Sequence, residues 1–247
     1  MNHLSDEPVV ALVAAAGSGS RLGGGLAKAL RPLAGRALVA RSVDQLAAGG
    51  ADRAVVIVPA GLEPDFSAAL ADVPIPCTLV VGGSERQHSV RLGLAAVGRA
   101  GVVLVHDAAR PMVPATVVAE VIAAVRAGHI AVVPALPVID SIREITDGGS
   151  RVVDRAALRG VQTPQGFAYA ELVAAHEHVL AAGLEVTDDA ACCEAVGHPV
   201  HLVPGSRLAM KITEPTDLVI AEALWAAGAD LRAAVVGDGR TSNRRST

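Results

Sequence analysis

The sequence predicts an α/β fold: a mostly parallel sheet with helices on both faces. Three observations predict it. Short β-rich apolar runs alternate with longer runs of helical periodicity between residues 9 and 133. The strand-length runs are almost wholly apolar, as strands covered on both faces are. Glycine-rich or charged turns follow the strand ends, where open α/β sheets collect their ligands.

Val9–Ala14 is the first strand, followed by a glycine-rich loop. In Ala37–Ala48 the residues Leu38, Val43, Leu46 and Ala47 fall at helical spacing. Ala54–Val58 is a second strand, closed by Pro59, and Pro64–Ala71 a helix. Thr78–Val81 is a third strand, and Ser89–Val97 the next apolar-periodic segment. Val102–Val105 is a fourth strand, Val117–Arg126 a helix and Ile130–Val133 a fifth strand. The alternation breaks at Val138–Asp154, where two strands of mixed charged and apolar residues flank Thr-Asp-Gly-Gly-Ser and read as a β-hairpin. A hairpin projecting from such a domain is either an exposed decorative loop or a dimerisation arm. Helices return at Ala168–Ala182, Asp188–Val196 and Pro215–Ala226. Residues 1–235 read as one domain carrying an arm at about 138–156, and the polar segment 236–247 as a disordered tail.

Composition narrows the function. The chain has 247 residues and a net charge of -4, with 21 Lys plus Arg against 25 Asp plus Glu. Only Lys28 and Lys211 are lysines. Mild acidity argues against a broad nucleic-acid backbone footprint. Four aromatics (Phe66, Phe167, Tyr169 and Trp225) leave little for a base-stacking surface. No apolar run approaches the length of a membrane span, and the N-terminus lacks a secretory pattern. Three cysteines, none in a C-x-x-C, fit a reduced cytoplasmic compartment.

Four motifs carry chemistry. Ala15-Ala16-Gly17-Ser18-Gly19-Ser20-Arg21 follows the first strand. Glycines there let backbone N–H groups approach phosphate oxygens. It is not a dinucleotide fingerprint, because Leu22 stands where the third glycine is needed. It is not a P-loop either, because Gly24-Gly25-Leu26 replaces Gly-Lys-Ser/Thr. Arg21 and Lys28 flanking amide donors suit a triphosphate. His106-Asp107-Ala108-Ala109-Arg110-Pro111 follows the fourth strand. Asp107 there is placed to hold Mg²⁺ beside phosphates, and Arg110 to meet a second anion. Gly82-Gly83 with Ser89 suits the close approach and edge reading of a flat base. Lys211, between apolar Met210 and Ile212, precedes a helix whose first residue is Pro215. His176 and His178 do not share a helix face, Cys192-Cys193 lacks metal spacing, and no G-x-S-x-G elbow occurs.

Taken together, these motifs resemble the 2-C-methyl-D-erythritol 4-phosphate cytidylyltransferase family of the non-mevalonate isoprenoid pathway. Asp154-Arg155, Thr163-Pro164-Gln165, Thr187-Asp188 and Lys211-Ile212-Thr213 follow in the family's order, and the likeness spans roughly Val9 to Trp225. The resemblance implies a Rossmann-like nucleotidyltransferase fold and a homodimer interlocked through the arm. It implies that Ala15, Ala16, Gly17 and Gly19 wrap the CTP phosphates, and that Gly82, Gly83 and Ser89 read cytosine. Arg21, Lys28 and Lys211 would be catalytic, neutralising charge at the α-phosphorus and on departing pyrophosphate. Asp107 would hold Mg²⁺. Arg110, Thr163 and Thr187 would bind the methylerythritol phosphate, joined by Ser141 and Arg155 from the partner's arm. Ala27 and Ala29 depart from the family's usual Pro-Lys-Gln around the loop lysine, and Ser84 from its usual Asp. The alternatives are the same transfer to ribitol 5-phosphate and, from another class, a nucleotide-binding regulatory protein without turnover.

Overall fold

A computed structural model describes residues 6–17 and 25–228. The expected Gly19 and Arg21 contacts and the 236–247 tail lie outside those residues. Parallel strands β1 (Val9–Ala14), β4 (Arg53–Val58), β5 (Cys77–Val81) and β6 (Val102–Asp107) form one half of the main sheet, with β1 between β4 and β6. Beyond β6 lie antiparallel β11 (Gln165–Ala168), then β7 (Ala131–Pro137) and β12 (Val200–Pro204), the last two parallel to each other. A three-residue strand, β10 (Arg159–Val161), pairs with β7 at Ala135–Pro137. Ala135 also pairs with β12, so β10 lies on the same edge of β7 as β11.

The apolar strands have the double burial that their composition demands. Val9, Ala11 and Val13 face one core layer with Val43, Leu46, Val118 and Val121, which lie on α1 (Leu38–Ala48) and α4 (Ala115–Arg126). Val10 and Leu12 face a second layer with Val90, Leu94, Leu172 and Val179. Those side chains come from α3 (Arg86–Val97) and α5 (Tyr169–Ala181), with Cys192 and Cys193 added from α6 (Asp189–Ala195). Gly93 lets α3 lie flat on the sheet: a Cβ there would meet Leu12 Cδ1 at 2.4 Å and Ile57 Cδ1 at 3.0 Å. A short helix α2 (Glu63–Ala69) buries Phe66. A third, smaller cluster joins Leu33, Leu38, Met112 and Ile212 to α7 (Pro215–Ala226), where Arg41 also stacks on the Trp225 ring at 3.7 Å.

The expected strands, helices and hairpin are present, with boundary shifts that matter in two places. β6 runs two residues past Val105, because His106 and Asp107 pair in register with Val13 and Ala14. α3 begins at Arg86, three residues before its apolar period becomes visible. Five short strands were not foreseen in sequence: β10, β11, β12 and the β2–β3 pair (Pro32–Leu33, Arg36–Ala37). The hairpin β8 (Ile142–Thr146) and β9 (Gly149–Val153) is a sheet of its own. Its apolar side chains are exposed, Ile145 at 81% and Val152 at 67%. No helix among the described residues is long and apolar enough to cross a membrane.

Candidate active site

Strand β1 has β4 on one side and β6 on the other, and their connections run in opposite directions across the sheet. The crevice at their carboxyl ends is the topological switch point where such sheets bind ligands. A cavity of about 550 Å³ opens there. Ala15, Ala16 and Gly17 enter it from the end of β1, and Lys28 from the short 3₁₀ turn Lys28–Leu30. Gly83 enters from the turn before α3 and Ser89 from the first turn of α3, Asp107 from the end of β6, and Lys211 from the segment before α7. Residues separated by almost 200 positions thus meet round one space, and both lysines of the chain face it.

The base-side wall is narrow by construction. A Cβ on Gly82 would lie 2.7 Å from Ala16 Cβ and 3.1 Å from Ser89 Oγ, so the turn can press against the β1 loop only as glycine. Ser89 is buried and closes the turn: its hydroxyl oxygen accepts from the Gly83 N–H at 3.0 Å.

The opposite wall centres on Asp107. Lys211 Nζ lies 2.9 Å from its Oδ2, and Arg110 Nε 3.7 Å from the same oxygen. Burial works to raise the Asp107 pKa, but Lys211, Arg110 and Arg86 outweigh it and hold the carboxyl below its ordinary range. The backbone beneath is held by a relay. Burial pushes the enclosed His106 imidazole down to about 4, so it is neutral near pH 7. His106 Nε2 faces the Arg110 carbonyl at 3.3 Å, which assigns the ring proton to Nε2. Nδ1 is then an acceptor, and the Thr163 hydroxyl donates to it at 3.0 Å. Thr163 Oγ1 in turn accepts the Asp107 N–H at 3.1 Å. Arg110 is also anchored, its Nη1 donating to the Ala209 carbonyl at 2.6 Å.

Among the expected site residues, Ala15, Ala16, Gly17, Lys28, Gly83, Ser89, Asp107 and Lys211 line the cavity. Gly82, Arg110 and Thr163 support its walls from behind. Thr187 is exposed just ahead of α6, and Ser141 and Arg155 are exposed on the arm; none of these three lines the cavity. The Arg155 guanidinium donates to the Ile139 carbonyl, which ties the base of the arm together. Sequence reasoning missed Arg86 and Thr213, which also line the cavity. Arg86 is bound at 2.6 Å by Asp189, itself buried and 3.1 Å from His176 Nε2. Arg86 lies within the glycine turn already singled out, and Thr213 within Lys211-Ile212-Thr213, so both were within reach of the motifs.

A crevice that gathers two lysines, Arg86 and the Asp107 carboxylate beside a glycine loop is the equipment of a nucleotidyl transfer, and comparison with known proteins agrees. Residues 9–226 match the family described as 2-C-methyl-D-erythritol 4-phosphate cytidylyltransferase. The chain belongs to that family. The enzyme of that name from Nocardia farcinica is 48% identical over 223 residues, covering 89% of this chain and 95% of the relative. The Saccharopolyspora erythraea enzyme is 49% identical over 225 residues, with 88% and 99% covered. The crystal structure of the Thermus thermophilus cytidylyltransferase superposes with a TM-score of 0.75 at 39% identity, covering 88% of this chain and 98% of that one. The three cysteines are free, and the two on α6 are buried away from the crevice walls.

Proposed function

We propose that this cytidylyltransferase moves the cytidylyl group of CTP onto 2-C-methyl-D-erythritol 4-phosphate and releases pyrophosphate. The observation that carries this reading is the convergence of Lys28, Lys211 and the β1 loop amides on one cavity beside the glycine turn. The substrate's own phosphate attacks the α-phosphorus, and the bond from that phosphorus to pyrophosphate breaks in line. A phosphate near neutral pH is already anionic, so no general base is required; the His106 imidazole is enclosed and committed to its relay. Catalysis is then positioning and charge stabilisation. Ala15, Ala16, Gly17 and Gly19 offer amides to the phosphates, and Arg21, Lys28 and Lys211 neutralise the charge that builds there. Gly82, Gly83 and Ser89 accept the cytosine.

Asp107 is the residue that would hold Mg²⁺. Among the described residues no cluster of three acidic, histidine or cysteine ligands exists. Asp107, which lines the cavity with Glu85, nonetheless fits an ion that takes most of its ligands from phosphate and water. Lys211 at 2.9 Å and Arg110 at 3.7 Å both face the Asp107 Oδ2. Such an ion supplies charge neutralisation on the triphosphate.

Arg110, Thr163 and Thr187 receive the polyol phosphate together with Ser141 and Arg155 of a second copy's arm. The exposure of Ile139, Ile145 and Val152 supports a homodimer closed by that arm. The three free thiols fit a reducing, cytoplasmic setting. The deciding experiment is CTP-dependent pyrophosphate release across a small panel of polyol phosphates. Release with methylerythritol phosphate alone supports the reading. Preference for ribitol 5-phosphate, or no release at all, refutes it.

A further inference from the structure

One carboxylate outside the cavity grips a segment that carries one of its lysines. Asp217, on the first turn of α7, forms no part of the cavity wall. Its Oδ2 accepts three donors: the Thr213 N–H at 2.7 Å, the Thr213 hydroxyl at 2.7 Å and the Glu214 N–H at 2.9 Å. Those bonds, the Thr213 hydroxyl foremost, hold its carboxyl below the usual range, and Lys28 adds to the effect through space. The segment it grips is the one that carries Lys211. That segment is fixed ahead of Thr213 as well: the Ile212 N–H donates to the Ala109 carbonyl at 2.8 Å, and the Ile212 side chain is fully buried. Lys211 is therefore presented from a backbone held on both sides of Ile212, toward Asp107 at 2.9 Å.

We propose that Asp217 is a positioning residue for the transfer, acting through the Lys211–Thr213 segment that it grips. The inference rests on the cytidylyltransferase reading of this cavity. A helix cap alone does not require this arrangement. Three donors on a single ionised oxygen are charge-assisted and immobilise the turn. A negative charge behind a phosphate site is unfavourable for anion binding unless it serves to hold the cations in front of it. Asp217 sits where it can do so for Lys211, through its bonds to Thr213 and Glu214.

The composition supplies a direct readout. Lys28 and Lys211 are the only lysines in the chain, so native acylation followed by peptide mass spectrometry reports on them alone. The experiment compares wild type with Asp217→Asn, Asp217→Glu and Glu214→Ala, measuring kcat, both KM values, thermal stability and acylation rate. Glu214→Ala disturbs the same helix end without removing the carboxylate. Glutamate at the third helical position is itself a normal cap partner, so Asp217→Glu preserves a purely structural role. Expected is a kcat loss of tenfold or more in Asp217→Asn and severalfold in Asp217→Glu, with the KM for the polyol phosphate within twofold. Lys211 acylation should change severalfold in Asp217→Asn, and kcat of Glu214→Ala should stay within twofold of wild type. Asp217→Glu at wild-type kcat with unchanged lysine acylation overturns the proposal and leaves Asp217 a cap. Should Asp217→Asn fail to fold, Asp217→Glu and the acylation pattern decide alone. Failure of the wild type to release pyrophosphate with CTP and methylerythritol phosphate counts against the functional reading instead, and the acylation comparison still tests Asp217.

Discussion

Thr163→Val tests the relay under Asp107. The substitution keeps the shape of the side chain and removes only the hydroxyl. Two groups lose their partner: His106 Nδ1, on a fully buried ring, and the Asp107 N–H. A buried polar group left unpaired costs about 1–3 kcal/mol, so the pair predicts a loss of about 2–6 kcal/mol. For a chain of this size each kcal/mol lowers Tm by about 2–4 °C, which places the expected shift between about 4 and about 24 °C. Urea unfolding and thermal melting measure it. A second arm sharpens the test. In a His106→Phe background the ring acceptor is already gone, so Thr163→Val strands only the amide and should cost about half as much. A loss below about 1 kcal/mol in the wild-type background, or full additivity with His106→Phe, refutes the relay. An unchanged Tm with a raised KM for the polyol phosphate makes Thr163 a substrate contact and not a support.

Four further outcomes are expected. Lys28→Arg and Lys211→Arg each keep the charge but replace a compact ammonium by a planar fork, so kcat should fall at least tenfold; normal turnover in both would make the two-lysine pattern a matter of composition alone. Gly82→Ala places a methyl 2.7 Å from Ala16 Cβ, which should raise KM for CTP severalfold and leave KM for the polyol phosphate unchanged. Arg155→Ala should mainly raise KM for the polyol phosphate, and an effect confined to CTP would contradict the arm assignment. Burial penalises the thiolates of Cys192 and Cys193 and pushes both up to about 12, so at pH 8 the ionised fraction is on the order of 10⁻⁴. Iodoacetamide should therefore modify the half-buried Cys77 of the native protein ahead of both, and equal rates for all three would contradict the packing of α6.

Much of the fold was legible because its signals are local. Val9–Ala14 and Pro215–Ala226 have the bounds their patterns indicate, since a strand buried on both faces must be apolar throughout and a proline marks a helix start. The short strands were not legible for the same reason in reverse. Arg159–Val161 is exposed throughout and carries no pattern, and its pairing exists only because β7 offers an open edge beside it. The cavity residues were visible as motifs. Their supports were not: Thr163 reaches His106 across 57 positions and Asp189 reaches Arg86 across 103.

By itself the sequence determined the alternation of strands and helices, the chemistry available at each strand end, and the presence of two lysines among loops suited to phosphate. Those are properties of a residue and its near neighbours. Only the tertiary structure decided how that chemistry is combined. Lys28 and Lys211 become a pair because β1 and β6 lie side by side in register, so the loops after them and the segment before α7 close on one crevice. His106 becomes a neutral relay, not a base, because the packed strand and Thr163 enclose it. Burial, register and hydrogen-bond partners depend on contacts distant in the chain, and those contacts turn a set of suitable residues into a site.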